Sequence, residues 1–254
     1  MNCQSGRLAR CVPFIGVGLM VSILITLAAK DFWEQKPWTQ WSEQDALRIL
    51  SDSPWARKQA VLAAAMKPTE SSTQRPTDLP SVATATGGRS AGAVLGQVGA
   101  AGATPGPNEP VPLFIRWYSS VRVRQALARL GQIQGNAPEA EARKFVEQPM
   151  EEYMISVNGP FMDALNDLSF DDFKQKTFLV SKKDKSRKVE LKSYVPPKDR
   201  KDSIALFSFP RQLNDKPAFG PEDDEIEFVA QGRKVNLKMS FKLQKMMTEG
   251  KLDL

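Results

Sequence analysis

Asp163, Asp167, Asp171 and Asp172 lie close together in a chain that contains no His. Paired carboxylates are the one hydrolytic chemistry that needs no imidazole: one acid protonates a glycosidic oxygen while the other attacks or activates water. That chemistry requires two of the groups to face each other across a cleft, with the pKa of one raised. Asp at such positions equally caps helices or faces water. A second acidic group, Glu222, Asp223, Asp224, Glu225 and Glu227, offers oxygen ligands suited to a hard cation such as calcium, but its spacing is not that of an EF-hand loop. A solvated acidic entry to a strand accounts for it as well.

The basic residues come next. Arg116, Arg122, Arg124 and Arg129, with Lys182, Lys183, Lys185, Arg187 and Lys188, provide cations for an anionic surface. Lysines on solvent-facing strands also guard sheets against edge-to-edge association. Apart from Trp117 and Tyr118 beside Arg116, no aromatic residues are interleaved with these cations, so there is no base-stacking platform along them, and nucleic acid is not an expected partner. Gly87 to Gly92, Gly-Gly-Arg-Ser-Ala-Gly, has no strand before it and so lacks the context of a phosphate cradle. The only cysteines are Cys3 and Cys11. Beyond residue 11 the chain therefore has no material for a Ser-His-Asp or Cys-His nucleophile, a His/Cys zinc site or a disulfide. The expectation is a protein without catalytic, cofactor-binding or metal-binding residues, and not an enzyme.

The elements that must position any site begin with an address. Residues 11–29 carry no charge, follow Arg7 and Arg10, and end at Lys30. Nineteen residues at about 1.5 Å each nearly match a ~30 Å hydrocarbon layer. Residues 1–30 therefore read as a signal anchor or a signal peptide, with the rest outside the cytoplasm. The candidate cleavage pairs, Thr26 with Ala28 and Leu27 with Ala29, are poor Ala-x-Ala sites, which favours a retained single-pass anchor over a secreted or periplasmic product. The net charge of +6 then points to a membrane or envelope surface as the anionic counterpart.

Residues 31–66 form a Trp-rich segment. Ser42 reads as an N-cap for a helix over 43–51, and Ser53-Pro54 reads as the start of a second helix over 55–66. Trp33, Trp38, Trp41 and Trp55 are candidate docking residues, for a partner or for the chain's own domain. Residues 67–111, rich in Pro, Gly, Ala, Ser and Thr, read as a disordered linker with a span of about 35–40 Å, a stalk between membrane and domain.

Residues 112–254 read as an α+β domain, either an antiparallel sheet or a small sandwich with two or three helices. Strands are expected at 113–118, 153–157, 177–181, 204–209, 225–230 and 235–243. Helices are expected after Ser120, stopped by Gly131, and over 138–147, with a helical turn or two near Phe161 to Leu168. In the strand near the end, Val235, Leu237, Met239, Phe241 and Leu243 alternate with Asn236, Lys238, Ser240 and Lys242, as expected of a half-buried strand.

The run Lys36-Pro37-Trp38-Thr39-Gln40-Trp41-Ser42, the run Asp52-Ser53-Pro54-Trp55-Ala56, and the tail from Asp224-Glu225-Ile226-Glu227-Phe228 to Gly250-Lys251-Leu252-Asp253-Leu254 resemble the ends of a group of exported bacterial proteins labelled as GWxTD-domain proteins. The Gly-Trp-x-Thr-Asp pentapeptide itself does not occur in this chain. The resemblance implies export and carries no activity with it. The functional expectation is a non-enzymatic, exported or membrane-tethered envelope protein that presents an interaction domain to an envelope partner, with a carboxylate-dependent hydrolase of envelope polysaccharide as the alternative.

Overall fold

The computed structural model describes residues 31–63, 108–135, 137–160, 162–200, 202–233 and 235–254. The apolar stretch 11–29 lies outside them, as does the linker's composition-based disorder over 67–107. Among the described residues no helix is long and apolar enough to cross a membrane.

One turn, α1 (Phe32–Gln35), precedes a helix with a reciprocal cap. The Ser42 hydroxyl accepts from the amide of Asp45 at 3.1 Å, and the Asp45 carboxylate accepts from the amide of Ser42 at 2.8 Å, which starts α2 (Glu43–Ser51) where the capping signal predicts it. Ala46, Ile49 and Leu50, at i, i+3 and i+4, are its buried stripe.

Over 56–62 the helix expected for 55–66 is replaced by a strand. The Ser53 hydroxyl turns back to the carbonyl of Ile49 at 2.7 Å, and Ala56–Leu62 becomes strand β1. It pairs antiparallel with β2 (Pro110–Trp117), Ala56 opposite Arg116 and Leu62 opposite Pro110. Ala-Arg-Lys-Gln-Ala-Val-Leu favours a helix locally, but propensity is a weak preference that a long ladder of cross-strand bonds overrides. The consequence reaches further than the segment. With Leu62 opposite Pro110, the two ends of the intervening chain stand side by side in one ladder, so it does not separate one domain from another. The folded unit runs from Phe32 to Leu254 instead of starting at 112.

Ser120 then caps α3 (Val121–Ile133), its hydroxyl accepting from the amide of Val123. Gly131 does not stop this helix. It ends at Gln134, followed by Gly135 at φ 71°, a left-handed conformation that glycine adopts without penalty. α4 (Glu139–Glu147) and β3 (Glu152–Asn158) follow, then the single turns α5 (Asp163–Asn166) and α6 (Phe170–Phe173). The remaining strands are β4 (Thr177–Ser181), β5 (Lys188–Glu190), β6 (Ser193–Val195), β7 (Ala205–Pro210), β8 (Gln212–Leu213), β9 (Lys216–Pro217), β10 (Glu225–Gln231), β11 (Asn236–Lys242), β12 (Met247–Thr248) and β13 (Lys251–Leu252).

The architecture is α+β with antiparallel sheets. One sheet has the order β1-β2-β3-β7-β6, the other β11-β10-β4-β5, and every neighbour is antiparallel. They pack face to face through aromatic rings: Trp117 meets Phe241 at 5.4 Å and Phe207 meets Phe228 at 5.5 Å, both edge to face. α2 packs against β1 and β2, α3 against α2, and α4 against α3. With a cover on each side, Leu113, Phe114, Ile115, Arg116 and Trp117 are all buried, so β2 shows no alternation of inside and outside.

Both long edges of the sandwich are tied. At one, the side-chain amide of Gln59 on β1 donates to the carbonyl of Asn236 at 2.9 Å and accepts from the amide of Lys238 at 2.9 Å, acting as a rung between β1 and β11. At the other, the amide of Leu191 donates to Thr177 in the four-stranded sheet and the next amide, Lys192, donates to Ser208 in the five-stranded one. Edges tied in this way offer few free backbone groups to another chain. α5 and α6 close one end, where Phe173 packs on Tyr194 and Phe207 and the Tyr194 hydroxyl donates to the carbonyl of Leu165 at 2.6 Å.

Candidate functional site

The residues singled out by composition are used by the fold. Trp33, Trp41 and Trp55 are buried, at 7, 0 and 0 % exposure, and Trp38 packs half-buried against the core. The Trp41 indole donates to the carbonyl of Lys36, the Trp55 indole donates to that of Asp253, and the rings of Trp33 and Trp55 meet at 5.7 Å. Docking is thus onto the chain's own core, and Trp33, Trp41 and Trp55 are not presented to a separate partner. Each indole removes about 150–250 Å² from water, a larger gain inside the fold than on its surface.

Two of the four clustered carboxylates are tied to structural partners, and Asp167 faces the same Arg233 as Asp172. Asp171 pairs with Lys174 at 2.9 Å, while Asp172 accepts from the amide and hydroxyl of Ser169, each at 2.8 Å, and pairs with Arg233 at 2.9 Å. The Arg233 guanidinium and the Ser169 donors hold the Asp172 carboxyl down at about 2, opposite to the direction a general acid needs. In the other acidic group, Glu222 and Asp223 pair with Arg187 at 2.9 and 3.0 Å, Glu225 with Lys182 at 2.9 Å, Glu227 with Lys238 at 3.1 Å, and Asp224 accepts from Gln244. These are cross-strand and loop ties.

The arginines after β2 are mostly internal. Arg116 is buried, donates to the carbonyl of Leu50 at 2.5 Å and to the Asn158 side chain, and lies over the Phe114 ring at 5.1 Å. Loss of hydration pushes its guanidinium down to about 9, so it remains charged at neutral pH. Arg124 donates to the carbonyls of Phe145 and Gln148 at the C-terminal end of α4, and Arg129 donates to that of Trp41. No continuous cationic face results from this group.

A cavity of about 820 Å³ does open at the surface, between the β8–β9 hairpin, the turn at 218–222 and the end of the chain. The hairpin reverses at Asn214 and Asp215, φ 53° and 60°, the left-handed pair that a two-residue hairpin turn demands. The turn is held by Arg187, which donates twice to the carbonyl of Ala218 and pairs with Glu222 and Asp223. The third wall depends on Asp253. Its carboxylate accepts from the amides of Val121 and Arg122 at 2.6 and 3.1 Å and from the hydroxyls of Ser120 and Thr248 at 2.9 and 3.1 Å, capping α3 and bringing Leu252 and Leu254 to the rim.

In this cavity Arg211 lies over the Tyr153 ring at 4.7 Å and donates from Nη2 to the main-chain oxygen of Leu254 at 2.5 Å. Its Nε is enclosed without an acceptor, and its Nη2 is held by the Leu254 oxygen. Burial pushes the Arg211 guanidinium down, with Tyr153 and Asp253 acting the other way, and burial pushes the Tyr153 hydroxyl up. Lys216, on the rim, is exposed. Sequence reasoning passes over Arg211, Tyr153 and Phe219, which come from three different elements. The only local signal is the Asn214-Asp215 turn, and it marks the hairpin without revealing what the hairpin covers.

Comparison of the chain with protein-family models, with curated proteins and with solved structures finds no match.

Proposed function

We propose that the chain is a non-enzymatic binding module tethered to a membrane by residues 11–29, its folded unit on the extracytoplasmic side. The observation that carries this reading is the place of Phe32 and Trp33. Trp33 is buried in the core and Phe32 packs against it, so only Lys30 and Asp31 separate the apolar stretch from the folded unit. The Arg7 and Arg10 flank sets the direction, and the resemblance to exported GWxTD-domain proteins agrees with it. Binding is favoured over hydrolysis because Asp171 and Asp172 are committed to structural partners, and a cavity of about 820 Å³ opens at the surface beside Tyr153 and Phe219.

Fractionation of cells producing the full chain, with N-terminal sequencing of the product, tests the tether. The expected result is a protein that keeps residues 1–30, stays with membranes in alkaline carbonate and is released by detergent. A soluble product whose N-terminus begins near residues 27–31 overturns it.

A further inference from the structure

We infer that residues 32–63 and 108–254 are the two halves of a clasp, held together by the contacts between them and not by the peptide that joins them. A cut within 64–107 then leaves both pieces bound. In the tethered chain proposed above this is a device against shedding: a protease outside the cytoplasm that cuts there does not free the rest of the fold from its anchor. Only this consequence rests on the tether.

The ladder of β1 on β2 is the first contact, from Ala56 opposite Arg116 to Leu62 opposite Pro110. It is lengthened at both ends: the amide of Trp117 donates to the carbonyl of Trp55 at 2.8 Å, and that of Ala63 to the carbonyl of Glu109 at 3.0 Å. Burial is the second. Trp33, Trp41, Trp55, Ile49 and Leu50 lie in one core cluster with Trp117, Leu130 and Phe241. Indoles that bury about 150–250 Å² each, together with the stripe of α2, bring the segment near the ~800 Å² per partner of a standard stable interface. Side-chain ties to separate parts of 108–254 are the third. Gln59 bonds to β11, Arg129 of α3 donates to the carbonyl of Trp41 at 2.6 Å, Arg116 of β2 to that of Leu50, and the Trp55 indole to that of Asp253.

Severance removes only the nearness that the peptide supplies, an effective concentration that falls slowly with the length of the connection. Parting the pieces removes far more. It strips β1 from β2, opens the aromatic core around Trp55 and Trp117, and takes the Leu50 carbonyl from the buried Arg116. Neither piece closes a core without the other, so separation and unfolding are one event.

The test inserts an affinity tag, followed by the recognition sequence of a site-specific protease, between Thr86 and Gly87 of the full chain. The tag then stays with the first piece whether or not residues 1–30 are kept. After complete cutting in a non-ionic detergent, capture on the tag is expected to retain about nine tenths or more of the second piece, the proportion at micromolar concentration for a Kd of about 10 nM or tighter. The cut chain is also expected to melt in one transition. Trp55→Ala should release the second piece. If that chain does not fold before cutting, Gln59→Ala decides: it removes the two bonds to β11 and should weaken the association about fivefold, the factor that corresponds to ~1 kcal/mol. Loss of the second piece on capture, two separate melting transitions, or equal retention of the parent and Gln59→Ala pieces over a dilution series overturns the inference. The tether is read apart from the clasp, by whether the tagged piece pellets with membranes. A tagged piece that stays in membranes while the second washes off sinks the clasp alone, and a cut pair captured together from the soluble fraction sinks the tether alone.

Discussion

Replacing Asp253 with Ala should loosen the C-terminal segment without touching the sandwich interior. The Asp253 carboxylate accepts two amides at the start of α3 and two hydroxyls, of Ser120 and Thr248. Loss of an N-cap acceptor costs about 1–2 kcal/mol, and the two hydroxyl bonds to a charged acceptor add roughly another 1–2 kcal/mol after competition with water. The sum is about 3 kcal/mol. For a folded unit of this size each kcal/mol moves the melting point by roughly 2–4 °C, so a fall of roughly 6–12 °C is expected. Asp253→Asn keeps an acceptor oxygen and loses mainly the charge at the helix N-terminus, about 1 kcal/mol. Urea titration of the full chain reads both, as a lower midpoint with unchanged slope. A cost below about 0.5 kcal/mol for Asp253→Ala would refute the reasoning, because it would mean that the four donors are satisfied equally well by water.

Trp41→Ala should cost about 3–5 kcal/mol by urea denaturation, the range for removing a fully buried aromatic side chain, because Trp41 belongs to the core and not to a docking surface. Gln59→Ala removes both rungs between β1 and β11 and should lower stability by about 1 kcal/mol, with faster amide exchange at Lys238. Acid titration reads the Asp172 cluster. A carboxyl lowered from its ordinary value of 3.8 to about 2 contributes stability that is present above about pH 4 and is lost as the pH falls toward 2. In Asp172→Asn that portion of the acid-induced loss should disappear.

Much of the domain was legible because the deciding interactions are local. Ser42 with Asp45 marks α2, Ser120 marks α3, and the alternation through Leu237 and Phe241 marks β11, while Thr177–Ser181 forms a strand with the bounds expected. The strand at 56–62 was hidden because nothing within it signals pairing; its partner, β2, lies beyond 47 intervening residues, 63–109. Once that pairing is missed, the low-complexity stretch reads as a stalk, and the tryptophans before it seem to need an external partner. Gly131 misled for a different reason: with no side chain it lets Ala137 approach, an added Cβ lying 3.3 Å from that residue's own, so it serves the packing of the following loop on α3 instead of ending the helix. The cavity was illegible because Tyr153, Arg211 and Phe219 are brought together only by the sheet order.

Amide hydrogen exchange on the full chain, resolved for peptides covering 56–62 and 110–117, tests the central claim that the Trp-rich segment and the strand after it are built into the domain. Comparable strong protection of both peptides is the expected result, since each supplies the other's ladder. Exchange of 56–62 at the rate of an unfolded chain, beside a protected 110–117, would contradict it and restore a separate N-terminal segment on a stalk.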